Sequence, residues 1–218
     1  MSENKKPLFS VIVPLHNASG YMRIGLDSIR EQVFTDYELI LVCDSCNDNT
    51  AEIAREYSDI VIETDYANDG MARDAGLDAA TGEWILFMDD DDHWLHEYVF
   101  DILSRVVGKN NEDILMFSFI WKHVGYAKNE PGNYWIAVWN KCWRRSFIGN
   151  TRFPNIKYFS DKYFNREMMS KNPRVSIWDM PLYYYNFMRE GSLSYEQDQN
   201  GKLWQEEGDN NVGDGSDS

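Results

Sequence analysis

The stretch Trp84-Ile85-Leu86-Phe87-Met88 runs straight into Asp89-Asp90-Asp91-Asp92. The apolar run is short and aromatic-rich, so it reads as a strand buried on both faces. Adjacent carboxylates at the end of such a strand repel one another, and desolvation raises their pKa values. The cluster becomes tolerable at a C-terminal sheet edge facing a cation, and open parallel sheets bind ligands at that edge. Carboxylate oxygens are hard ligands suited to Mg²⁺, Mn²⁺ or Ca²⁺. A solvated acidic loop is the plainer alternative. The apolar lead-in and Trp94 just behind the run favour a metal site.

The rest of the chain fits around that strand. Leu8–Val13 is β-branched and apolar and reads as a first strand, ended by Pro14. Tyr21–Val33 carries Met22, Leu26, Ile29 and Val33 at helical spacing. Glu38–Cys43 is a second strand, followed by the polar turn Asp44–Thr50 and a helix over Ala51–Tyr57. Ile60–Glu63 is a short third strand, and Gly70–Ala80 a helix with Gly82 as its C-terminal glycine. This alternation predicts an α/β fold with a mostly parallel sheet flanked by helices. The loops after the strands, at Pro14–Asn17, Asp44–Asp48 and Asp89–Asp92, then converge on one edge.

Beyond Asp92 the texture changes. Helices are expected over Leu95–Val107 and Phe159–Met169, and strands over Asp113–Trp121, Tyr134–Trp143, Val175–Trp178 and Leu182–Phe187. Pro131-Gly132 marks a turn. One domain over 1–205 is expected, with two halves of different texture near 8–94 and 95–205. From Glu206 the chain holds five acids and no base, so 206–218 reads as an acidic disordered tail.

A length of 218 residues with 43% hydrophobic and 15% aromatic content suits one globular α/β domain. A net charge of −15 argues against nucleic acid as a partner. Three cysteines fit a reducing compartment. Cys43 and Cys46 form a C-x-x-C that could be a redox pair, and Cys142 alone does not complete a zinc site. No signal peptide and no membrane-spanning run is visible, so a cytoplasmic protein is expected, with peripheral docking at the inner face of a membrane left open.

Walker, dinucleotide-binding and nucleophile-elbow motifs are absent. His93 and His96 could share a helix face and hold a metal, but the aspartates beside them form a harder and denser ligand set. The acidic edge suits a nucleotide diphosphate bridged by a divalent cation to Asp89 and Asp91. Asp44 could accept from a base N–H, cap the next helix, or do both; Arg73 could pair with a phosphate or with nearby carboxylates.

Seven motifs in order then resemble family-2 glycosyltransferases of the GT-A (Rossmann-like) fold. They are Val11-Ile12-Val13-Pro14-Leu15-His16-Asn17, Cys43–Asp48, Gly70–Leu77, Asp89–Asp92, Trp139–Arg145, Ser160-Asp161 and Tyr183–Ser194. The resemblance implies a metal-dependent inverting transfer from a UDP- or dTDP-sugar to a glycan or lipid-linked acceptor hydroxyl, with Mn²⁺ or Mg²⁺ as cofactor. By resemblance Pro14 and His16 line the nucleoside pocket and Asp44 touches the base. Arg73, Asp89 and Asp90 meet the nucleotide-sugar, and Asp89 and Asp91 hold the metal. Asp161 is the general base, and Trp139, Lys141 and Arg189 lie on the acceptor side. From local sequence Asp161 could equally be a helix N-cap.

The chain departs from the family pattern in four places. Cys43 stands for an Asp, which makes the C-x-x-C an accident of substitution; His16 stands for an aromatic and Asp74 for an Asn. Ser160 stands for a Glu, which should leave Asp161 more readily ionised. Two other classes remain: a non-catalytic nucleotide-sugar or glycan-binding module of a larger assembly, and a calcium-stabilised structural domain.

Overall fold

The computed structural model describes residues 6–199, so the tail expected over 206–218 lies outside the described residues. After Tyr185 the chain divides into a main unit and a second, short one. In order the elements are β1 (Phe9–Leu15), α1 (Met22–Arg30), β2 (Tyr37–Asp44), α2 (Thr50–Tyr57), β3 (Ile60–Thr64), α3 (Asp69–Ala79), β4 (Trp84–Phe87) and β5 (His93–Trp94). There follow α4 (Val99–Val106), β6 (Ile114–Trp121), β7 (Gly125–Ala127), β8 (Lys141–Arg144), α5 (Arg145–Ile148), α6 (Ser160–Ser170) and β9 (Val175–Tyr185). The second unit carries α7 (Leu193–Gln199).

Among the described residues one sheet has the order β3-β2-β1-β4-β8-β6-β9-β5, with β7 against β6. β3, β2, β1 and β4 are parallel throughout, so the α/β expectation holds for the first half. In the second half pairing is mixed: β8 runs antiparallel to both β4 and β6, while β9 runs parallel to β6. The period of two along each strand sorts side chains into two core layers. Val11, Leu41, Leu86 and Phe117 face α1 and α4 through Leu26, Phe100 and Leu103. Ile12, Ile40, Phe87 and Met116 face α3 and α6 through Leu77, Phe164 and Met168. Both layers are predominantly apolar, broken on β1 by buried Ser10 and on β6 by buried Ser118, which is why these strands read as near-continuous hydrophobic runs.

Several local expectations are corrected. Pro14 does not stop β1, which continues to Leu15. The Ile12 carbonyl accepts from Met88 N–H, so Pro14, two residues on, also faces the β4 side. The β4 ladder has already ended at Phe87 there, and the missing N–H costs nothing. Residues 134–140 form no strand; the Trp135 and Ala137 carbonyls bind Lys141 Nζ at 2.7 and 2.5 Å instead of a neighbouring strand. The two late strands are one, β9, with register shifts opposite Ser118 that absorb the break at Pro181. His93 and His96 share no helix: His93 lies on β5, stacked at 4.6 Å on Tyr184, and α4 begins only at Val99. Gly82 is no left-handed cap, since α3 ends in extended backbone at Ala80. Gly82 is instead pressed on β1, where a Cβ would stand 2.6 Å from Ser10 Oγ. No helix of the described residues is long and apolar enough to cross a membrane.

Gly25 brings α1 directly onto the carboxylate turn: a Cβ there would lie 2.5 Å from the Asp92 carbonyl oxygen. Backbone cannot yield as a side-chain tip can, so Gly25→Ala should destabilise the protein by about 1–3 kcal/mol. A Cβ at Gly20 meets nothing within 4 Å, so Gly20→Ala is the control. Urea midpoints compare the two; equal midpoints would refute the close-approach role.

Candidate active site

The strand-end loops meet as the topology requires. His16, directly after β1, donates through Nδ1 to the Asp44 carbonyl at 2.7 Å, and its backbone N–H donates to Asp90 Oδ2 at 3.3 Å. One residue thus touches the ends of both β2 and β4. Tyr21 donates its hydroxyl to the same Asp90 oxygen at 3.2 Å, and Asn17 Oδ1 accepts the Asn47 N–H at 2.7 Å. Asn17, Ser45 and Ala67, in the loops after β1, β2 and β3, all hold positive φ, at 48°, 51° and 50°. Non-glycine residues in that region carry strain of order 1 kcal/mol or more each, and such residues collect at functional edges.

Behind this rim sits a charged cluster. Arg73 on α3 is 5% exposed. It donates to Asp69 Oδ2 at 2.5 Å, one helical turn back, and to Asp89 Oδ1 at 2.6 Å, just past β4. Burial works against the guanidinium's charge, but Asp69, Asp89 and Asp161 more than offset it and hold Arg73 firmly protonated. Ser160 Oγ donates to Asp69 at 3.2 Å, tying the start of α6 to α3. Asp161, next in line, keeps part of its surface open. Burial pushes its carboxyl up to about 6; Arg73 opposes that shift, and Asp69 and Asp89 add to it. Asp161 is thus raised even without a Glu at 160. A serine at 160 removes one acid, but Asp69 supplies another from α3. Asp161 is not an N-cap either: α6 starts at Ser160, and the Asp161 carboxylate accepts the Lys162 N–H at 2.8 Å.

Several candidates have internal duties. Asp44 does not cap α2; its carboxylate accepts from Thr64 Oγ1 at 2.9 Å and from the Tyr66 and Asn68 N–H groups at 2.7 and 2.8 Å, which folds the loop after β3. Lys141 is not on an acceptor-facing surface. It is fully buried, and its ammonium binds the Trp135 and Ala137 carbonyls and Asn140 Oδ1. Burial lowers it to about 7, with Asp161 pulling the other way. Trp139 is buried too, stacked on Tyr183 at 4.8 Å with 10° between planes. Arg189 belongs to the second unit, where it donates to the Glu190 carbonyl. Pro14 is the penultimate residue of β1, one before Leu15 and two before His16 at the rim.

Sequence reasoning missed Asp69 and Tyr183. Asp69 had a visible signal, since it stands four residues before Arg73 at the start of a helix. Tyr183 had none. Its hydroxyl accepts the Asp89 N–H at 3.1 Å and donates to Asp92 Oδ2 at 2.7 Å, and so shapes the carboxylate turn. Asp92 is 1% exposed and belongs to that brace. For a metal, Asp89 and Asp91 are the hard-oxygen donors at the turn. Among the described residues no three metal-binding side chains converge. The donor set therefore fits an ion that takes most of its ligands from a bound phosphate and water.

Removing the Asp69 charge should make Asp161 more acidic. In Asp69→Asn the Asp161 carboxyl, followed by carbon-13 NMR against pH, should titrate below its native midpoint near 6. An unmoved midpoint would sink the proposed coupling.

The model of the family described as "Glycosyl transferase family 2" matches residues 10–170. Glycosyltransferase GlyA of Streptococcus pneumoniae serotype 4 is 28% identical over 217 residues, covering 85% of this chain and 31% of that protein. The crystal structure of S. aureus TarS 1-349 in complex with UDP-GlcNAc superposes with a TM-score of 0.76 at 24% identity, over 88% of this chain and 61% of that one. The mannosyltransferase PcManGT from Pyrobaculum calidifontis, in complex with GDP-Man and Mn2+, gives 0.71 at 16% identity, over 93% and 63%. The chain thus spans less than two thirds of each of these proteins, and the structural likeness is one of fold. With the match running from β1 to the end of α6, this chain belongs to glycosyltransferase family 2.

Proposed function

We propose that this chain is the catalytic domain of an inverting glycosyltransferase that moves a sugar from a UDP- or dTDP-sugar to a hydroxyl of a glycan or lipid-linked acceptor. One observation carries the reading: Asp161, part-open and held near 6, shares an ion network with Asp89 at the carboxylate turn. A base poised near the working pH accepts a proton better than an ordinary carboxylate while remaining mostly ionised at pH 7. It stands beside the turn that would face the donor's diphosphate.

In this reading Pro14 and His16 line the nucleoside. Asp44 Oδ2 accepts one hydrogen bond, from Asn68, and has capacity for a second from a base N–H. Asp89, Asp90 and Arg73 border the diphosphate. Asp89 and Asp91 would hold Mn²⁺ or Mg²⁺, which neutralises charge building on the leaving diphosphate. Asp161 takes the acceptor's proton as its oxygen attacks the anomeric carbon opposite the leaving group, and a single displacement inverts that carbon. The acceptor half is proposed to extend from about 95 to 205. UDP-GlcNAc bound to TarS, and GDP-Man with Mn2+ in PcManGT, support a nucleotide-sugar and a divalent ion on this fold.

Asp161→Asn should retain the thermal shift with UDP and Mn²⁺ while transfer falls by about 10²–10⁴-fold. UDP release from a panel of UDP-sugars with Mn²⁺ gives the rate. Native turnover in the variant would overturn the base assignment. Saturable UDP-sugar binding by the native chain, without release to any acceptor, would favour a binding module instead.

A further inference from the structure

The Cys43/Cys46 pair has no part in the transfer just described. Both side chains line one cavity of about 250 Å³, with Ser45, Glu63, Thr64 and Asp65 around it. The cavity lies at the end of β2, next to Asp44. The two thiols are free and share a hydrogen bond. Ser45 between them holds φ at 51°, which turns the chain sharply after β2. Cys43 is 2% exposed, whereas Cys46 is half-buried and reachable through the cavity. Cys46 Sγ donates to the Leu15 carbonyl at 3.4 Å and receives the Asn17 backbone N–H. It therefore fastens the turn after β2 to the loop that carries His16.

The environments of the two sulfurs differ. The hydrogen bond from Cys43 lowers Cys46 below the ordinary thiol range; burial opposes this, and the Asn17 N–H adds to it. The same hydrogen bond, followed by burial, pushes Cys43 well up. Cys142 is buried and is raised by that burial. A more acidic, reachable thiol beside a buried one is the arrangement of an attacking and a resolving cysteine.

We propose that Cys43 and Cys46 form a redox-active dithiol at the donor edge, oxidised by a low-molecular-weight disulfide, with Cys46 attacking and Cys43 resolving. The Cys46 thiolate attacks one sulfur of the oxidant; an S–S bond forms to Cys46 and the oxidant's own S–S bond breaks, releasing one thiolate. Cys43, giving up its proton, then attacks Cys46 Sγ and expels the second thiolate. The two protein thiols lose two electrons, the oxidant gains them, and its two thiolates take up the two thiol protons. The new bond draws Cys46 Sγ away from Leu15 and Asn17, which loosens the His16 loop. This effect on donor binding rests on the proposed function; the thiol chemistry does not.

The full chain, reduced and then incubated with oxidised glutathione, is examined by intact mass and by alkylation after denaturation. The mass should fall by two hydrogens, and alkylatable thiols should drop from three to one, Cys142. Cys43→Ser should stop at one attached glutathione, and Cys46→Ser should give neither product. Three alkylatable thiols after oxidation, or a Cys43→Ser variant that takes up no glutathione, overturn the proposal. UDP affinity in the presence of Mn²⁺ should fall at least tenfold on oxidation and return with a dithiol reductant. If the reduced protein binds UDP but forms no disulfide, the dithiol alone fails. If it forms the disulfide but never binds UDP, the donor reading fails and takes the link to binding with it.

Discussion

A guanidinium buried between two carboxylates holds this edge together. Arg73 sits on α3, Asp69 one turn before it and Asp89 past the end of β4, with contacts of 2.5 and 2.6 Å. Ser160 extends the set to α6 through Asp69. Helix, strand end and second helix are thus locked by one cation. Deleting a single member of a buried pair costs about 3–5 kcal/mol, because the partner is left charged and unmatched. The cluster therefore cannot drift, and Asp161 inherits its position from it.

The acids of the edge divide by what they touch. Asp44 accepts one hydrogen bond from Thr64 at the end of β3 and two from the loop after it, and Asp92 is closed over by Tyr183. These two build loops. Tyr183 is itself clamped by Trp139 stacked on one side and Trp94 edge-on at 5.1 Å. These second-half aromatics make a rigid brace behind the carboxylate turn. Rigidity at that point matters for any chemistry at Asp89, since the Asp89 N–H is one of the groups Tyr183 holds.

The β/α alternation of the first half was legible because each strand is buried on both faces and each helix shows its apolar spacing. The convergence of the three loops followed from parallel pairing alone, and His16 bears it out by touching Asp44 and Asp90. The second half was less legible, because its structure depends on distant partners. The family resemblance put Lys141 on the acceptor side, yet it is the pin of the 134–140 loop. Tyr183 meets Asp89 across ninety-four positions, a pairing with no local trace. The full surroundings of Asp161 were hidden for the same reason. Loss of a neighbour at 160 is visible in the chain, whereas Asp69 arriving from another helix is not.

Charge balance ties the site to its proposed ligand. Asp69, Asp89 and Asp161 surround one cation, Arg73, and Asp90 and Asp91 lie in the adjoining turn. The locality carries excess negative charge, and an anionic diphosphate approaching unaided would meet repulsion from like charges. On the proposed reading, Asp89 and Asp91 would hold a divalent ion there, whose charge would offset that repulsion. Burial above all, with Asp69 and Asp89 adding to it against the pull of Arg73, raises Asp161 to about 6, so the charge that would favour a cation also helps tune the proposed base. On the proposed reading, an ion arriving with the donor would also draw Asp161 back toward ionisation, readying the base only when there is a sugar to transfer.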